Sequence, residues 1–167
     1  MQAGDVFLTH GSGFVDSAIR FVERRKFSSS GSAWNHAGIV ISADGHTVEM
    51  QAKGAVIGQI NRYPDHKILP IQLTDVQRSL VVEYAVAALD GNNGRPVRYG
   101  WLTDLSIALD ILTPARIEIR KVDTLICSQL AALALFHAGV QMPVFDFGRV
   151  TPAHLSSWFL NGNNQAR

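Results

Sequence analysis

The sequence predicts an α+β protein built around one buried central helix. Two patterns carry this expectation. Short apolar, β-branched runs concentrate in the first half of the chain and helical periodicities in the second, the segregation expected of α+β architectures. The stretch from Ile126 to Leu135 (ICSQLAALAL) is apolar on nearly every face, which marks a helix enclosed by the rest of the fold. With 167 residues, 47% apolar and 17% charged, the chain fits one domain with a substantial core and is not composed like a disordered one. The expected catalytic-size domain is 1–160, with 161–167 a polar tail.

Asp5 to Thr9 reads as a first strand, broken by His10-Gly11-Ser12-Gly13. Val15, Ala18, Ile19 and Val22 share one face of a following helix. Phe27 to Ser32 is a loop by composition and leads into a strand over Ala37 to Ile41. Asp44-Gly45 signals a turn, and Thr47 to Met50 returns as the second half of a hairpin. Val56 to Ile60 and Lys67 to Leu73 are further strand candidates. Thr74 and Gln77 form a capping-box pattern ahead of Val81, Tyr84, Ala85 and Ala88, and that helix should end near Gly91. Residues 92–98 read as a loop. Trp101, Leu105, Ala108, Leu109 and Leu112 mark another helix, stopped at Thr113-Pro114. The Cys127 helix should run to about Ala138, with Gly139 placed to cap it. Thr151-Pro152 is an N-cap followed by proline in the first turn, opening a short helix through Trp158.

The bulk numbers also limit function. A net charge of +1 gives no general electrostatic case for nucleic acid, and Arg24-Arg25-Lys26 reads as an ordinary charged helix end. No apolar run reaches the ~18–20 residues that span a bilayer. The first residues show no basic segment followed by an apolar core, so the expectation is a cytoplasmic protein or one delivered by a non-Sec route. Substrate and oligomeric state are not legible.

Cys127 is the only cysteine, which rules out an intrachain disulfide. A lone cysteine ahead of a Leu/Ala run reads on position alone as a small buried hydrophobe. The functional reading places it in the first turn of its helix, where unsatisfied N–H groups favour a thiolate and its own N–H can face an oxyanion. His36 stands at the entrance of a strand and can serve as base. Glu49 shares a strand face with Thr47, and a carboxylate there needs a partner, which a histidine on the neighbouring strand supplies. A thiol, an imidazole and a carboxylate are the minimum parts of a thiol hydrolase. His10 is a candidate substrate-binding residue at the end of the first strand. The His10-Gly11-Ser12-Gly13 run lacks the phosphate-loop pattern. His46, His66, His137 and His154 show no zinc spacing, and His137 reads as a satisfied core group. No metal or cofactor is called for.

Gly4-Asp5-Val6-Phe7, Asn35-His36-Ala37-Gly38-Ile39-Val40, Val48-Glu49 and Cys127-Ser128-Gln129-Leu130 together resemble the NlpC-type branch of the papain-like cysteine peptidases in its circularly permuted form. Tyr99-Gly100 and Thr151 to Leu155 resemble later landmarks of that group. The resemblance spans nearly the whole chain. It implies a permuted papain-like fold in which an antiparallel sheet packs on the central helix that carries the cysteine at its N-terminus. It also implies a peptidase or amidase with Cys127 as nucleophile, His36 as base and Glu49 as orienting residue. The substrate would be a peptide or a peptidoglycan fragment. A lipid-directed acyltransferase or hydrolase of the same fold is the alternative, although the nucleophile motif of those relatives, Asn-Cys-Glu-His, is absent. A catalytically silent binding module is the third reading.

Overall fold

The computed structural model describes residues 1–10, 34–91, 95–99, 124–143 and 146–160. The helices expected around Val15–Val22 and Trp101–Leu112, the loop at Phe27–Ser32, the basic run and the polar tail lie outside the described residues.

Five strands, β1 (Val6–Thr9), β2 (His36–Val40), β3 (His46–Gln51), β4 (Gly54–Gln59) and β5 (His66–Ile68), form one sheet in the order β4-β3-β2-β1-β5. Every pairing in it is antiparallel. Both faces are covered, and strand alternation sorts the side chains. Val6, Leu8, Ala37, Ile39, Val48 and Met50 join the main core. Phe7 and Val40 turn to the opposite face, where they cluster with Ile60, Tyr63 and Ile68. His36, Gly38, Thr47 and Glu49 belong by alternation to that second face.

The β2–β3 connection is held by its own polar groups. Ser42 Oγ accepts from His46 N at 3.1 Å, and Gly45 N donates to Ser42 O at 3.1 Å. β5 is shorter than the expected strand over Lys67–Leu73. Leu69 N still reaches Val6 O at 2.9 Å, but Pro70 has no N–H with which to continue the ladder. A two-residue strand β6 (Arg98–Tyr99) pairs in parallel with β7 (Thr124–Leu125), where a loop was expected over 92–98. Val97 O accepts from Ala55 N at 2.9 Å and ties this segment to the start of β4.

Helix α1 (Asp75–Asp90) starts with the anticipated capping box: Gln77 N donates to Thr74 Oγ1 at 3.3 Å and Thr74 N to Gln77 Oε1 at 3.0 Å. It buries Val81, Ala85 and Ala88. Helix α2 (Cys127–His137) has Cys127 as its first residue and is buried from Cys127 through Ala132, and again at Ala134 and Leu135. Its last turn emerges. His137 is exposed rather than a core group, with its ring 5.4 Å from that of Tyr84. Gly139 at φ +80° lets the chain reverse, so that Val140 N bonds Leu135 O and Gly139 N bonds Phe136 O. Helix α3 (Pro152–Phe159) is capped by Thr151, whose Oγ1 accepts from His154 N. Among the described residues, no helix is long and apolar enough to cross a membrane.

Candidate active site

Strand pairing and helix docking bring Cys127, His36 and Glu49 to one place. β2 and β3 pair Gly38 with Glu49, which sets the carboxylate beside the start of β2. His36 Nε2 lies 3.1 Å from Glu49 Oε2. The imidazole also lies close enough to the Cys127 side chain to interact with it electrostatically. All three residues are buried: Cys127 is 3%, His36 7% and Glu49 0% exposed.

Glu49 is satisfied on both oxygens. Thr47 Oγ1 donates to Oε1 at 2.5 Å, and Tyr63 OH donates to Oε2, the oxygen that also meets His36. The Tyr63 ring lies 5.9 Å from the His36 ring and 5.8 Å from that of Phe7. Space for the carboxylate comes from β4. A Cβ on Gly58 would sit 2.3 Å from Glu49 Oε1 and 2.7 Å from Thr47 Oγ1, so a side chain there would displace the acid.

The electrostatics follow from burial and partners. Burial opposes charge on His36. The interactions with Cys127 and the Glu49 carboxylate outweigh it and push the imidazole up to about 10. Burial likewise opposes charge on Glu49, yet hydrogen bonds from His36, Thr47 and Tyr63 and the nearby imidazolium hold its carboxyl below the usual value. This is a histidine kept cationic between a sulfur and a carboxylate.

The residues after Cys127 fix where the helix begins. Gln129 Oε1 accepts from Ile126 N at 3.1 Å, while its Nε2 donates to Gly148 O at 2.8 Å. Ser128 Oγ donates to Val150 O at 2.7 Å. Both side chains are thereby occupied in anchoring the turn over 147–149 to the start of α2, and neither touches His36 or Glu49 through a hydrogen bond.

His10 lies at the same end of the sheet, one residue beyond the Thr9–His36 pair. Its Nε2 is 3.1 Å from Asp65 Oδ2, its ring stacks on Trp34 at 4.9 Å, and its buried Nδ1 has no hydrogen-bond partner. Its side chain is one-third exposed, so it borders the site without entering the Cys127–His36–Glu49 chain of contacts. Tyr63, Thr47 and Gly58 are site residues that their sequence context does not mark as such. Only Thr47 carried a signal, through its shared strand face with Glu49. Among the described residues, no group of three or more His, Cys, Asp or Glu side chains is placed to hold a metal.

No family model matches the chain, and no curated protein is significantly similar to it.

Proposed function

We propose that the protein is a cysteine hydrolase with a permuted papain-like fold, cleaving an amide bond through a thioester on Cys127. The observation that supports it is the position of His36, 3.1 Å from Glu49 and within electrostatic reach of the Cys127 side chain. A cysteine that only fills space has no need of a charged imidazole.

In this reading, the thiol proton passes to His36 and Cys127 Sγ attacks the amide carbonyl carbon. The C–O π pair moves to oxygen, and the N–H groups of the first turn of α2, which lack helical acceptors, face that oxyanion. The C–N bond then breaks as His36 returns the proton to the leaving nitrogen. Water, deprotonated by His36, attacks the thioester and releases the carboxylic acid and the free thiol. Glu49 holds the ring orientation and the imidazolium charge throughout. The amide belongs to a peptide or a peptidoglycan stem fragment.

The test is incubation of the purified protein with simple peptides, peptidoglycan fragments and acyl-lipids, read by mass spectrometry, with Cys127→Ala as control. The expected result is an acyl adduct on Cys127, release of an amine product, and loss of both in Cys127→Ala with its unfolding temperature retained. Full hydrolysis by the variant would refute the assignment. Adducts from acyl-lipids alone would move the activity to lipid acyl transfer. A wild-type Cys127 inert to every substrate and to iodoacetamide would leave a binding module.

A further inference from the structure

We infer that Tyr63 is a positioning residue of this site, whose hydroxyl keeps Glu49 ionised so that the proton taken from Cys127 stays on His36. The inference rests on the thiol hydrolase reading and deepens it.

Tyr63 follows a 3-10 turn over Ile60–Arg62, and its N–H is fixed on Ile60 O at 3.0 Å. That turn carries the phenol back over β3. The hydroxyl donates to Glu49 Oε2, the oxygen shared with His36 Nε2. The ring is wedged between Phe7 and His36. A fully buried carboxylate drifts toward its neutral form unless donors hold the charge. Among the described residues, two hydroxyls do so, and that of Tyr63 sits on the oxygen facing the imidazole. A carboxylate already bonded by a phenol is a weaker proton acceptor. The proton leaving sulfur therefore moves to the imidazole and stops there, available for the leaving group. Among the described residues, the titratable groups that interact with Glu49 are His36 from β2 and Tyr63 itself, with Cys127 of α2 acting through His36. β1 and β4 face it with Phe7 and Gly58, which carry no charge.

Tyr63→Phe keeps the ring and removes the donor. The experiment measures iodoacetamide alkylation of Cys127 across about pH 4 to 10 and titrates the Glu49 carboxyl carbon by NMR, in wild type and variant. The expected result is a Glu49 midpoint raised by about one pH unit, the scale of one hydrogen bond to a charged group. The acid limb of alkylation should move up with it. A merely structural role would lower the unfolding temperature and leave both midpoints in place, and an unchanged Glu49 midpoint in the folded variant overturns the inference. If the variant fails to fold, replacing tyrosine by the more acidic 3-fluorotyrosine should lower the Glu49 midpoint instead, and no change there is equally fatal. Inertness of wild-type Cys127 would sink the hydrolase reading, while the carboxyl titration would still decide what Tyr63 does.

Discussion

His36 gives the protein a pH dependence of defined sign. Its folded value of about 10 lies above the ordinary 6.5. Its stabilising contribution is thus complete below the ordinary value and is lost as pH rises through the folded one. Glu49 runs the other way: its contribution is present above its ordinary value and disappears as pH falls through the lowered one. The unfolding temperature should fall between about pH 7 and 10, and His36→Gln should flatten that slope. Cys127→Ala removes one of the two partners that raise the imidazole, so the decline should end at lower pH and be smaller in total. A slope in His36→Gln equal to wild type would exclude the imidazole as its source. Cys127, His36 and Glu49 were legible in the sequence because each breaks a local pattern: a thiol opening an apolar helix, a histidine entering a β-branched strand, a carboxylate on a strand that buries its neighbours. Tyr63 breaks none. Its role arises from a turn whose geometry, not its composition, carries the phenol to Glu49.

At the scale of the element, Gln129 decides where α2 starts and hence where the thiol sits. Gln129→Leu would strip partners from Ile126 N–H and Gly148 C=O, both supplied by one buried side chain. The expected loss is roughly 1–3 kcal/mol, the cost of the one fully buried group left unsatisfied, Ile126 N–H, the Gly148 bond being only part-buried, measured by urea unfolding. Alkylation of Cys127 should slow in parallel. A loss under about 0.5 kcal/mol, the level of an ordinary surface substitution, would show the anchor to be dispensable. Helix ends were the most legible elements. Thr74 with Gln77, Thr151 with Pro152, and Gly139 act within a few residues of themselves, so their chemistry is written locally. β6 and β7 were not legible, since two residues have no period and their pairing joins distant parts of the chain. The exposure of His137 was missed for a related reason: an apolar run says that a helix is enclosed, not where it emerges.

Across the whole molecule, the α+β class followed from the order of strand-like and helix-like segments. The burial of both sheet faces did not, because the second face is closed by Ile60, Tyr63 and Ile68, which lie in or beside short elements. The pairing of β2 with β3 has a consequence in time. His36 and Glu49 sit on adjoining strands, whereas the Cys127 sulfur arrives on a helix from far along the chain. A nascent or half-refolded polypeptide carries the imidazole and carboxylate without an activated thiol. Under the hydrolase reading, it should stay chemically quiet toward itself and its neighbours until α2 docks. During refolding at about pH 6, where a free thiol is less than ~1% ionised, rapid alkylation of Cys127 should appear together with helix burial and not with the hairpin. Rapid alkylation of the unfolded chain at that pH would break the link. If Cys127 is the nucleophile of the proposed hydrolase, the fold works as its own safety catch, arming the sulfur only when α2 has docked.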